Sequence, residues 1–161
     1  MTDLMVFLDN TVLTNFALIG RPDLIFSIWP DIACTVTPVM EEYQTGVQTS
    51  NLPRKAWDGL LIHQLTDEES AMAASLPPKL GAGERACLAA AIMRQGVFAS
   101  DDQQARKYAL QAGVIAIGSV GILIRCIDKE LISKPDAQAL LDRMIAANYH
   151  SPISSLDDIM D

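Results

Sequence analysis

The sequence predicts an α/β domain with a mainly parallel central sheet. Short apolar runs of strand length alternate along the chain with stretches that carry helix start and stop signals. Four acidic spots stand out, Asp9, Glu42, Glu84 and the pair Asp101-Asp102, and three of them sit where an apolar run meets a turn or a helix start. Carboxylates at strand ends converge on one edge of a parallel sheet, where such folds place ligand sites. A group of carboxylates without a neutralising lysine repels itself, which points to a hard cation such as Mg2+ and to chemistry on a phosphate ester.

The elements follow in order. Residues 4–8 form a short apolar run suited to a buried strand. Thr11 is placed to cap the next helix, whose apolar face holds Val12, Phe16, Ala17 and Ile19. After the turn Gly20-Arg21-Pro22, a second helix begins at Pro22 and stops at Pro30. Ala33–Val36 is the next strand, and Pro38 opens a helix carrying Glu41 and Glu42. Residues 44–53 are polar, hold Gly46 and Asn51, and read as a loop. Residues 60–65 read as a strand. Thr66-Asp67-Glu68-Glu69 has the form of a capping box, on a helix ending near Pro77-Pro78.

Gly81 and Gly83 lead into a long helix over 84–94, closed by Gly96. A strand over 97–100, a helix over 102–111 ended by Gly113, and a strand over 114–117 come next. Helices over 120–128 and 135–147 complete the series. Residues 151–161 are polar and acidic, a short helix or a loose tail. The organisation expected is one domain over 1–153 and an acidic tail over 154–161.

Bulk properties narrow the class. A chain of 161 residues, half of them hydrophobic, suits one compact domain burying roughly 70% of its unfolded surface. Apolar stretches break well before about 18 residues, so no membrane span is expected. The first residues lack a basic region and place an acid in the first apolar run, unlike a signal peptide. Cys34, Cys87 and Cys126 are isolated and odd in number, which fits buried thiols in a reducing cytoplasm. The net charge of -8 argues against a surface that coats nucleic acid. It leaves room for a nucleic acid substrate, because bound divalent ions would invert the local potential.

Each acidic spot also has a plain structural role open to it. Asp9 can serve the dipole of the helix it precedes, but its hydrophobic approach and the adjoining Thr11 favour a metal ligand. Glu84 alone would gain only about 0.3–1 kcal/mol from a helix dipole. The glycines before it permit close backbone approach. Asp101-Asp102 is the strongest local signal, read either as cap plus first-turn acid or as ligands beside a helix N-terminus that can receive an anion. Glu41-Glu42 reads alone as a solvated helix face; with Val39 and Tyr43 turned to the core, Glu42 lies near the sheet edge. His63 and His150 are single and read as structural or surface residues. No Ser-His-Asp or Cys-His set and no lysine-bearing phosphate loop is readable.

Two acid-rich folds fail on particular residues. The segment Leu8-Asp9-Asn10-Thr11-Val12-Leu13 resembles the first motif of haloacid-dehalogenase-like phosphatases, but the nucleophilic position falls on Phe7, whose ring cannot attack phosphorus. A receiver-like phosphoacceptor domain needs a late strand-end lysine, and here that strand runs into Ile117-Gly118-Ser119.

The remaining motifs form one set. Leu8-Asp9-x-Thr11, Pro38-Val39-x-x-Glu42, Gly81-x-Gly83-Glu84, Ser100-Asp101-Asp102-x-x-Ala105-Arg106 and Gly118-Ser119-x-Gly121-x-Leu123 together resemble a PIN domain, nearest the VapC-type toxin-like branch. The resemblance runs from residue 4 to about residue 153. It implies a three-layer αβα sandwich and a Mg2+- or Mn2+-dependent ribonuclease. By position, Asp9, Glu84 and Asp102 would be the core metal ligands, with Asp101 beside them in the catalytic set. Glu42 would be an additional acid at the rim of the site, and Thr11 would contact substrate or support the ligands. Ser119 stands where such proteins often carry a hydroxyl or an acid near the metal, so a further carboxylate is missing. Arg106 orients a carboxylate or pairs within the fold.

The resemblance also implies partners: an RNA substrate, an antitoxin that inserts a segment into the acidic groove, and a second copy in a homodimer. A reading from another class is a PIN-like fold without turnover, serving as an RNA- or protein-binding module. The overall acidity and Ser119 speak for that alternative.

Overall fold

A computed structural model describes residues 4–160. Five strands, β1 (Val6–Leu8), β2 (Ala33–Val36), β3 (Leu61–His63), β4 (Val97–Ala99) and β5 (Ala116–Ile117), form one parallel sheet in the order β3-β2-β1-β4-β5. Between and after them come α1 (Asn10–Leu18), α2 (Pro22–Ile28), α3 (Thr37–Ser50), α4 (Asp67–Ser75), α5 (Ala82–Met93), α6 (Gln103–Gln111), α7 (Ser119–Asp128) and α8 (Lys134–Ala146).

Every residue of β1 and β2 is buried, as expected of parallel strands covered on both faces. On one side α2 packs on α7, while α8 touches both α7 and α1. On the other, α5 lies across β1, β2 and β4 with α4 and α6 beside it. The third helix, α3, meets both α1 and α5. The expected α/β sandwich is the fold. Close packing of α5 on the sheet follows from its buried small residues Ala86, Ala89, Ala90 and Ala91. Gly96 is required where α5 returns to β4, since a Cβ there would meet the Met5 carbonyl at 2.6 Å and the Phe7 ring at 2.8 Å.

The sheet order decides where a site can form. The chain builds β1, β2 and β3 outward in one direction, then crosses back to place β4 on the other flank of β1. Leu8 is in register with Ala99, and the Asp9 amide donates to the Ala99 carbonyl at 2.8 Å. Asp9 and Ser100-Asp101-Asp102 therefore leave adjacent strands side by side, at the switch point where parallel sheets open a crevice.

Several boundaries differ from those expected. The first strand is confined to Val6–Leu8. Residues 44–53 are not a loop, because α3 continues to Ser50 and closes on Asn51 at a φ of 56°. The polar residues there occupy a solvent face, where the Thr45 and Thr49 hydroxyls donate back to the carbonyls of Glu41 and Thr45. Gly46 leaves room for the Leu52 side chain, and the Tyr43 hydroxyl ties the segment down by donating to the Pro53 carbonyl at 2.7 Å.

The strand expected over 60–65 shrinks to Leu61–His63, since the Gln64 carbonyl is drawn away to accept from Arg94. The strand expected over 114–117 shrinks to Ala116–Ile117, because the Val114 amide still closes α6 on Ala109. The Thr66–Glu69 capping box forms as expected, at 2.8 and 3.1 Å, and Arg94 clamps the buried Glu69 carboxylate at 2.7 and 2.9 Å. All three cysteines are free and buried.

Of the segment expected as a tail, residues 154–160 fall among the described residues. It does not hang loose. Leu156 is fully buried, its amide donates to Gln138 at 2.8 Å, and Lys134 pairs with Asp157. Residues 1–3 and 161 of the two expected units lie outside the described residues. No helix of the described residues is long and apolar enough to cross a membrane.

Candidate acidic site at the switch point

Asp9 stands at the junction of β1 and α1 and is 1% exposed. It, rather than Thr11, caps α1, its Oδ1 accepting from the Asn10 amide at 2.8 Å. Its Oδ2 accepts from the Ser100 hydroxyl at 2.8 Å. Burial pushes Asp9 up to about 6, against the opposing hydrogen bonds from Ser100 and Asn10, and the negative charges of Glu42 and Asp102 push the same way. A buried carboxylate with acids for neighbours and no cation beside it retains its proton more tightly.

Glu84 reaches the same place from α5. Gly81 rather than Glu84 opens that helix, and Glu84 sits one turn in, with Oε1 accepting from the Gly81 amide at 3.2 Å. Its Oε2 is buried with no N–H or O–H donor on it. Burial, then the adjoining Asp102 carboxylate, with which it can share a proton, then the charge of Asp9 push Glu84 up to about 7. Asp102 caps α6, accepting from the Ala105 amide at 2.9 Å, while its own amide donates to Ser100 Oγ at 3.1 Å. Ser100 thus holds Asp9 and Asp102 together through one hydroxyl.

Glu42 enters from α3. Asn10 Nδ2 donates to its Oε1 at 3.4 Å, and a Cβ at Gly83 would run into its other oxygen. A side chain at Gly83 would displace the flexible end of Glu42, which gives the Gly81-x-Gly83-Glu84 motif a steric meaning. Asp9, Glu42, Glu84 and Asp102 are brought to one place by four different elements.

Asp101 points elsewhere. Its Oδ1 accepts from the Ser119 amide at 2.7 Å and the Tyr149 hydroxyl at 3.1 Å, and its Oδ2 from the Ser119 hydroxyl at 2.6 Å and Asn15 at 2.9 Å. Four donors saturate it. It accepts the first amide of α7, whose N-cap is Gly118 and which starts at Ser119 rather than Val120, and it ties α1 and α7 to the residues just past α8. Thr11 contributes by accepting from the Asp101 amide at 2.9 Å. Ser119 is buried in this network, with its hydroxyl also taking Asn15 Nδ2 at 3.1 Å. Arg106 donates to the Ser100 carbonyl at 2.7 Å, a pairing within the fold. His63 is half-buried against Phe7, away from the acids.

Three participants carried no assigned role in the sequence reading. Asn15 had a visible signal, a polar residue within the apolar face of α1 between Val12 and Phe16. Ser100 was part of a motif but reads as a strand end. Tyr149 offered no signal, because its partner lies 48 residues away.

The donor set is oxygen only, which suits a hard divalent cation. As they stand, no three histidine, cysteine or carboxylate side chains among the described residues are gathered closely enough to chelate an ion. The orphaned Glu84 Oε2 and the raised Asp9 and Glu84 are nonetheless what a cation would relieve. The residues fit the group.

Comparison with known proteins agrees with the fold. A family model described as DUF3368, a PIN domain, matches residues 5–161. Among solved structures, a PilT N-terminus domain protein from the hyperthermophilic archaeon Sulfolobus solfataricus P2 is similar, with a TM-score of 0.53 and 14% identity. That likeness covers 75% of this chain and 92% of the other. No curated protein matches the sequence.

Proposed function

Because the chain belongs to the PIN-domain family, a fold generally built for nucleases, we propose that it is a Mg2+- or Mn2+-dependent ribonuclease acting at the Asp9–Glu42–Glu84–Asp102 site. The observation that carries this reading is the convergence of four carboxylates, two of them with raised pKa, at the switch point of a parallel sheet. Asp9, Glu84 and Asp102 would hold the ion, with Glu42 at the rim. A bound divalent ion supplies an activated water and charge stabilisation for phosphodiester hydrolysis.

The chain's own residues do the rest. Ser100 fixes the spacing of Asp9 and Asp102 by donating to one and accepting from the backbone of the other. Asn10 steadies Glu42. Without the ion, Glu84 retains its proton up to about pH 7, and a bound cation would take that proton's place. Asp101 is assigned to scaffolding in this reading, which departs from the ligand role implied by the motif.

Labelled single-stranded RNA incubated with the protein should be cut in Mn2+, left intact after chelation, and left intact by a folded Asp102→Asn variant. Equal cleavage by that variant would sink the assignment. The VapC-type motifs extend the same reading to a toxin, held by an antitoxin segment in the acidic groove and paired as a homodimer. Growth arrest on expression, relieved by Asp9→Asn, tests that extension.

A further inference from the structure

Beside the acidic site, between α1 and the C-terminal end of α8, lies an open cavity of about 420 Å3. It shares Asp102 with the site, and Asn10, which donates to Glu42, so the two adjoin. Its volume is in the range of small-molecule pockets. The lining divides into two kinds of surface. Leu18 and Ala147 supply apolar wall, and Tyr149 an aromatic ring. Thr14, Asn148 and His150 supply hydrogen-bonding edges. Among the described residues, the side chains of Asn148 and His150 make no hydrogen bond to the protein.

No lysine or arginine lines this cavity, and two of its lining residues are carboxylates. That favours a flat, uncharged group with apolar faces and polar edges over a free phosphate. We infer that the cavity receives the nucleobase next to the scissile phosphate. The inference rests on the ribonuclease reading for its place beside the reacting phosphate.

Sequence-specific recognition of single-stranded RNA works by unstacked bases laid against aromatic rings and hydrogen-bonded along their edges. Asparagine and histidine carry the donors and acceptors that meet those edges. Asn148 sits at a φ of 76° just past the end of α8, so the backbone itself turns its amide out of the helix.

The test has two arms. In the first, the full chain is titrated with AMP, CMP, GMP and UMP while backbone and side-chain amide NMR signals are followed. The expected result is a set of shifts centred on Thr14, Asn148 and His150. Asn148→Gly, which keeps the left-handed backbone, and His150→Ala should each weaken binding. Shifts confined to other regions, or none with any of the four nucleotides, would overturn the inference.

In the second arm, four single-stranded RNAs differing only in the base beside one cleavage position are cut in Mn2+. Cleavage without base preference together with no nucleotide binding removes the pocket and leaves the ribonuclease intact. Nucleotide binding at these residues without cleavage of any RNA removes the ribonuclease and leaves a base-binding pocket.

Discussion

The Ser100 hydroxyl donates to Asp9 Oδ2 at 2.8 Å from a position fully shielded from solvent. Because the same oxygen accepts the Asp102 amide, one small side chain sets the spacing of two acids from different loops. Ser100→Ala leaves both groups without their partner. Removing a hydrogen bond that orients a metal ligand generally costs about 10–100-fold in affinity or activity. A Mn2+ titration by calorimetry should show a loss in that range, with α-helix content by circular dichroism unchanged.

The raised acids make stability depend on pH. Folded Asp9 near 6 and Glu84 near 7 bind protons more tightly than their ordinary values of 3.8 and 4.5. Between roughly pH 4 and 7 the native state therefore holds more protons than the unfolded chain, so stability from these groups falls as pH rises. Asp9 alone corresponds to a loss on the order of 1–3 kcal/mol. Thermal melts of the metal-free protein should show this decline from pH 5 to 8, and added Mn2+ should reverse it at pH 8. A melting temperature that rises across the window would contradict the burial of these acids.

Asp9→Asn should stabilise the metal-free protein at pH 8, because it removes a buried negative charge that nothing neutralises. A gain of about 1 kcal/mol corresponds to roughly 2–4 °C in a chain of this size. The gain should shrink at pH 5, where Asp9 is already protonated, and Mn2+ should no longer raise the melting temperature of the variant.

Asp101 and Asp102 are neighbours with opposite expected phenotypes. Asp101 accepts four hydrogen bonds that tie α1, α7 and Tyr149 together. Asp101→Asn should cost about 2–4 kcal/mol, or roughly 5–15 °C. Asparagine caps helices about as well as aspartate, so Asp102→Asn should melt within about 2 °C of the parent. The same variant should lose its response to Mn2+. If the two substitutions behave alike, the division between scaffold and ligand is wrong.

Gly83→Ala isolates Glu42 without touching a carboxylate. The added methyl meets the end of the flexible Glu42 side chain, so the fold should hold while that acid is displaced. Mn2+ affinity should drop several-fold with little change in melting temperature. A drop in stability with affinity preserved would place Glu42 outside the site.

The legible parts of this molecule are those written in local pattern. The helix series, the capping box at Thr66 and the acids at strand ends follow from spacing alone. What was hidden depends on long-range partners. Thr11 looks like a cap until β4 brings the Asp101 amide to it across 90 residues. The adjacent acids look equivalent until Ser119 and Asn15 claim one of them. The polar run after Gln44 looks like a loop because Leu52 and Pro53, which hold it helical, lie beyond it.

Single-turnover cleavage of a labelled single-stranded RNA, with Mn2+ affinity measured on the same samples, tests the proposed site most directly. The parent should bind Mn2+ and cleave. Asp9→Asn should remain folded and fall by at least about 100-fold in rate, with its Mn2+ affinity reduced in parallel. A folded Asp9→Asn protein that binds Mn2+ and cleaves like the parent would contradict a catalytic metal site at these four carboxylates.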